Sequence, residues 1–158
     1  MTIVIRRVVT GHDDDGKAIV LFDEASPHTR SSREGHQSCT IWSTGSFPAD
    51  NSGREDGAER ATGSTDPNGT VFRIVRYDPG VSPRNHRTDS TDYAVVMSGE
   101  IDMELDDTIV HLRPGDVLVQ RGTVHNWINR GPEPCTIAFV LTAARPVERG
   151  GKVLHAMG

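Results

Sequence analysis

The chain reads as an all-β protein, a sandwich or barrel of short strands, and three observations carry that reading. Short β-type runs recur every eight to twelve residues through the second half of the chain. Between them stand turn formers such as Ser98-Gly99, Asp106-Asp107, Pro114-Gly115 and Gly131-Pro132. Nowhere do apolar residues repeat at the 3.6-residue period of an amphipathic helix. Helix is expected to be scarce.

Taken in order, residues 3–9 and 17–22 are β-rich and flank Gly-His-Asp-Asp-Asp-Gly, whose Gly and Asp tolerate the backbone of a tight turn, so the spacing predicts a hairpin. The three aspartates, Asp13 to Asp15, lack the alternating ligands and closing Glu of a calcium loop and read as a solvated turn. Residues 26–38 are polar and read as irregular, and residues 39–43 form a short strand carrying Trp42. From 48 to 69 the chain is polar without apolar periodicity, a long loop that either covers a site or is poorly ordered. Strands are expected at 71–77, 93–97, 101–105, 109–112, 117–119, 126–128 and 136–141. Domain organisation follows as one unit: an extension over 1–69, a barrel core over 70–142 and a tail over 143–158 that packs outside or frays.

Composition narrows the function classes. A chain of 158 residues fits one domain and buries roughly two thirds of its unfolded surface. Acidic residues outnumber Lys and Arg by 22 to 17, a net charge of −5 with no basic cluster, which argues against a nucleic-acid partner. No apolar run approaches the roughly 20 residues that span a bilayer. The N-terminus sets apolar residues before its charges, the wrong order for a signal peptide, so a cytoplasmic protein with no membrane partner is expected. Cys39 and Cys135, far apart and outside any CxxC pair, read as two reduced thiols.

Two blocks carry the candidate chemistry. The first is Gly80-x5-His86-x-Thr88-x3-Asp92-x6-Gly99, and the second runs Gly122-x2-His125-x3-Asn129. In spacing, the first block resembles the first motif of the cupin superfamily, Gly-x5-His-x-His-x3or4-Glu-x6-Gly. The second resembles the other cupin motif, Gly-x5-Pro-x-Gly-x2-His-x3-Asn, although the Pro slot falls on Gln120 and the leading glycine, Gly115, sits one position late. The resemblance covers about residues 70–142. It implies a double-stranded β-helix, a jelly-roll barrel with a site in its mouth.

Carried over position by position, the ligand slots are His86, Thr88, Asp92 and His125. The resemblance therefore implies a divalent transition metal (Fe, Zn, Mn or Ni) on His86, Asp92 and His125, with Thr88 a hydroxyl where an imidazole is usual and Asp92 one methylene short of Glu. The alternative needs no metal: Asp92 pairs with an imidazole and tunes it for acid–base catalysis. Thr88 and Trp127 are expected to line the substrate pocket, Trp127 sharing a face with His125 or serving as packing bulk. Arg73, Arg84 and Arg87 are candidates to meet a substrate carboxylate, or else solvated edge residues. Tyr93 should face away from Asp92, His111 should face outward, and His12, His28, His36 and His155 carry no assigned role.

The function implied is a small-molecule enzyme of decarboxylase, isomerase or cyclase, or dioxygenase type. The alternative is a non-catalytic barrel that holds a small effector. A homodimer is expected, because the N-terminal hairpin would otherwise expose a strand edge.

Overall fold

The computed structural model describes residues 2–158, and strands without helices make up their regular structure. They are β1 (Arg6–His12), β2 (Ala18–Ala25), β3 (Thr29–Arg33), β4 (His36–Ser43), β5 (Thr70–Tyr77), β6 (Ser90–Ser98), β7 (Ile101–Glu104), β8 (Ile109–Leu112), β9 (Val117–Arg121), β10 (Asn126–Ile128), β11 (Cys135–Ala143), β12 (Val147–Arg149) and β13 (Lys152–Leu154). A six-stranded sheet, in the order β3-β4-β5-β11-β6-β9, faces a three-stranded sheet, β10-β7-β8. Two sheets closing on one core are the double-stranded β-helix.

Alternation builds that core. Inward residues of β5, β6 and β11 (Val75, Tyr77, Ala94, Val96, Ile137, Phe139 and Leu141) meet Ile101, Met103, Leu112 and Trp127 of the smaller sheet. Their neighbours Tyr93, Val95 and Met97 point out and are exposed. Gly99, between β6 and β7, has φ of 69°, and a Cβ there would lie 2.2 Å from the Pro134 carbonyl oxygen, so both conformation and space demand glycine.

The expected hairpin is present as β1 and β2, paired antiparallel. The stretch 26–38 departs from the expectation of irregular chain. It holds β3 and the start of β4, and β4 pairs along β5, so residues 29–43 belong to the main sheet. The outer face of that sheet is not bare either: Ile3 packs with Cys39, Ile41 and Ile74 in a second cluster.

The polar segment after β4 carries no strand, yet it is fastened at several points, which favours a cover over disorder. Thr70 N donates to Thr44 Oγ1 (2.9 Å), and Ser43 Oγ donates to Gly57 O (2.6 Å). Gly57 lies against the Trp42 ring. Asp56 receives the buried Arg7 guanidinium and holds His28 Nε2 at 3.1 Å. The tail is likewise folded: after the β12–β13 hairpin the chain returns, and Met157 and Arg87 exchange backbone hydrogen bonds. Cys39 and Cys135 are free and buried.

Candidate functional site

His86 lies just before β6 and His125 just before β10. Their backbones form an isolated antiparallel bridge in which each N–H donates to the other's carbonyl at 3.0 Å. Directly opposed residues of such a bridge project to one side, and the ring centroids stand 4.1 Å apart.

Each ring is held in the same way, by its Nδ1–H donating to the carbonyl two residues earlier. His86 uses Arg84 O (3.1 Å) and His125 uses Thr123 O (3.0 Å), with the Gln120 amide also against the His125 nitrogen. That tautomer leaves the lone pair on Nε2 in both. Burial first, and the neighbouring His86 second, push the His125 imidazole down to about 4. Burial likewise lowers His86, with the Arg84 hydrogen bond opposing and the charges of Arg84 and Arg33 adding to the effect. Both rings are therefore neutral near pH 7. Trp127, 2% exposed, stands edge-on to His125 at 5.8 Å and also packs on Tyr77 and Phe139, so it serves the cavity wall and the core together.

Asp92 does not join this pair. Thr88, Ser90 and Asp92 alternate onto one face at the start of β6, and their side chains form a chain: the Thr88 and Ser90 hydroxyls are 2.8 Å apart, and Ser90 Oγ donates to Asp92 Oδ1 at 2.5 Å. Burial raises the Asp92 carboxyl, with the Ser90 hydrogen bond and the Arg73 charge opposing. Ser90 is a member of the site that motif spacing does not point to, since it falls between two motif positions. Strand alternation is the signal that finds it.

The expected metal set of His86, Asp92 and His125 therefore closes only in part. Among the described residues no group of three His, Cys, Asp or Glu side chains stands close enough to hold a metal ion. Thr88, in the slot of an imidazole ligand, is committed to Ser90, and so is Asp92. Two imidazole nitrogens alone fall short of the three protein ligands of a catalytic site. The donor set in this arrangement does not fit the metal.

A cavity of about 190 Å³ opens between the sheets beside His86. Thr88, Asp92 and Trp127 line it, as expected, with Phe139 and Leu141 as further apolar wall. His125 stands behind His86 and borders a separate cleft with Asn85, Glu104 and Asp106. Of the three candidate arginines, Arg73 and Arg84 reach the cavity; Arg87 is held by the C-terminal tail instead.

Sequence reasoning misses the opposite wall, where Arg30, Arg33, His36 and Ser38 come from β3 and β4, and Gly63 and Ser64 from the cover. His36, given no role, has its imidazole lowered to about 4 by burial and packs edge-on to Tyr77. His111, as expected, is exposed and meets Asp102 at 2.8 Å.

The fold has counterparts among known proteins. A family model described as "Cupin domain" matches residues 73–141. The cupin-domain-containing oxidoreductase fogC of Aspergillus ruber is 36% identical over 94% of this chain and 77% of its own length. Phomopsin biosynthesis cluster protein C' of Diaporthe leptostromiformis is 48% identical over 56% of this chain and 48% of its own. Among solved structures, an uncharacterized conserved protein with a double-stranded β-helix domain from Klebsiella pneumoniae superposes with a TM-score of 0.52. It covers 74% of this chain and 84% of that one at 21% identity, a likeness of fold alone. With strands, barrel, both sequence blocks and a relative matched over 94% of this chain in agreement, the chain belongs to the cupin superfamily.

Proposed function

We propose that the chain is a cupin enzyme of small-molecule biosynthesis in which His86 transfers a proton to or from an organic substrate held in the adjoining cavity, with His125 positioning it. One observation carries this reading: a pair of neutral imidazoles, each anchored through Nδ1, of which one lines a cavity large enough for a substrate. His86 then offers an Nε2 lone pair as base, and once protonated it returns the proton as acid. Proton abstraction beside a carbonyl, followed by return at another atom, is isomerisation; where the carbanion first bonds to an electrophilic carbon of the same molecule, returning the proton to the atom that took the electron pair completes a cyclisation. Trp127, Phe139 and Leu141 exclude water from the reacting carbon, and Thr88 and Asp92 define the polar side of the pocket.

Relatives named as oxidoreductases, fogC among them, support a second reading in which the same pocket oxidises its substrate. Dioxygen uptake matched to product would favour it, and metal analysis of the active protein would show whether iron, zinc, manganese or nickel takes part. The rival outside catalysis is a barrel that holds an effector and turns nothing over.

The experiment is turnover in heavy water against a panel of small ketones and keto acids. Wild-type protein is expected to wash deuterium into its substrate or product, and His86→Ala to lose this by about 100-fold or more, the span of general acid–base catalysis. Equal exchange by wild type and His86→Ala would overturn the assignment. Binding without any exchange or turnover would favour the effector module.

A further inference from the structure

The described residues carry a cluster of buried polar atoms with no partner on the β4–β5 wall, Ser38 and Arg73 in the cavity lining and Thr40 across from Arg73 next to it. In the β4–β5 register, Ser38 stands across from Val75 and Thr40 across from Arg73. Directly opposed residues share a face, so Ser38, Thr40 and Arg73 project together. Ser38 Oγ, Thr40 Oγ1 and Arg73 Nε are all buried and all lack a hydrogen-bond partner. A buried polar group left unmet is destabilising, and three on neighbouring positions, two of them in the cavity lining, are a site waiting for its complement.

All three can donate. The far end of Arg73 is already fixed, because its Nη2 donates to Gly63 O (3.1 Å) and Ser64 O (2.7 Å) of the cover segment. The cover thus aims the guanidinium and leaves Nε–H free. Arg33, pinned through Nε to Ser82 O at 2.8 Å, and Arg84 and Arg30 add positive charge to the same lining. Four arginines face a single carboxylate, Asp92, in a chain whose overall charge is −5. A local inversion of that kind concentrates an anion in the cleft. Burial lowers Arg73 to about 10, which leaves it charged at neutral pH and short of a counter-ion.

We propose that Arg73, Ser38 and Thr40 form a carboxylate subsite, so that the substrate is a compact organic acid bound with its carboxylate on the β4–β5 wall and its carbon skeleton directed past Trp127 toward His86. The inference rests on the same cavity as the proton-transfer reading and names its substrate class. Size agrees: an apolar cavity of about 150 Å³ accepts a benzene ring, and the 190 Å³ here leaves room for a ring bearing one carboxylate. Walls of Trp127, Phe139 and Leu141 suit such a ring, while the arginines suit its charge.

Calorimetric titration with benzoate and hexanoate, each against its neutral amide, tests the subsite without turnover. Both acids are expected to bind wild-type protein about tenfold or more tighter than their amides, the scale of one charge-assisted hydrogen bond. Arg73→Gln should remove that preference. Because Arg73 also holds the cover, Ser38→Ala with Thr40→Val, which leaves the guanidinium in place, should reduce acid binding about tenfold at unchanged circular dichroism. His86→Ala should keep the preference for both acids over their amides. Equal affinity for acids and amides, binding of neither, or acid binding indifferent to Arg73→Gln and to the Ser38/Thr40 pair would each overturn the subsite. Retained acid binding in a His86→Ala protein that still exchanges deuterium would leave the subsite standing and sink the catalytic role.

Discussion

His86 and His125 face each other across a single antiparallel bridge, yet only His86 borders the main cavity. One bridge therefore sets two similar residues in different surroundings: one imidazole lines the cavity, and the other stands behind it, 4% exposed, its imidazole lowered by burial and by its neighbour.

That arrangement ties stability to pH. The folded His125 imidazole titrates near 4 and the unfolded one near its ordinary 6.5, so between these values the unfolded chain binds a proton that the folded chain refuses. The contribution is complete above pH 6.5, is lost as pH falls toward 4, and amounts to about 3 kcal/mol over the whole window. His36, also lowered to about 4, acts in the same direction, whereas the raised Asp92 carboxyl opposes it. Denaturant midpoints between pH 7 and 4.5 should fall for wild type and fall less steeply for His125→Asn. Parallel slopes for the two proteins would contradict the neutral buried ring.

A metal should be gained by rebuilding the missing ligands. Thr88 and Asp92 are tied to Ser90, and glutamate at position 92 would extend the carboxylate by about 1.5 Å. Thr88→His combined with Asp92→Glu is therefore expected to retain zinc or iron after passage over a chelating resin, at a molar ratio above that of wild type. Elemental analysis by mass spectrometry measures it. Wild type already holding one metal per chain, with His86→Ala abolishing it, would mean the pair finds its third ligand elsewhere.

How much of this is legible in the sequence depends on whether pairing or patterning decides each element. The barrel is legible because strands such as Cys135–Ala143 alternate between buried and half-buried residues, and because the spacing of His86 and His125 marks where two turns meet. Strand β3 is not: Thr-Arg-Ser-Ser-Arg has no apolar residue, and its extended form comes from pairing with β4 across the chain. With β3 hidden, the arginine-rich wall is hidden too. Asp92 is a different case: its motif position gives its place in the barrel, while its hydrogen bond to Ser90 is a matter of side-chain distance that spacing does not carry.

Arg7 and Asp56 should hold the cover to the hairpin. Arg7 Nη1 donates to Asp56 Oδ1 at 2.8 Å and Nη2 to Glu24 at 2.7 Å, and the guanidinium, beside the Phe22 ring, is almost wholly buried. The hydrogen bonds from Arg7 hold the Asp56 carboxyl well below the ordinary carboxylate range. Removing Asp56 leaves Arg7 with the Glu24 carboxylate, so the loss falls below the roughly 3–5 kcal/mol of a fully stranded buried charge. Asp56→Ala is expected to lower the free energy of unfolding by about 1–3 kcal/mol and to expose the cover to limited proteolysis within residues 48–69. Unchanged stability and an uncut cover would show that the loop is held by its other contacts.

A second copy of the chain should cover the free edge of the six-stranded sheet. That sheet ends in β3 on one side and β9 on the other. The β3 edge carries Arg30 and Arg33, which discourage edge pairing, whereas β9 exposes Val117 (75%) and Val119 (57%) beside Tyr93, Val95 and Met97 of β6. Contiguous exposed apolar residues along an unpaired strand favour self-association, and a twofold axis through β9 would bury both stripes at once. This moves the expected dimer surface from the N-terminal hairpin to β9. Sedimentation velocity of the wild type should give twice the chain mass, and Val117→Lys with Val119→Lys should give the monomer with an intact far-ultraviolet spectrum. A monomeric wild type would leave the stripe as plain surface, and a dimer insensitive to the lysines would return the interface to β1 and β2.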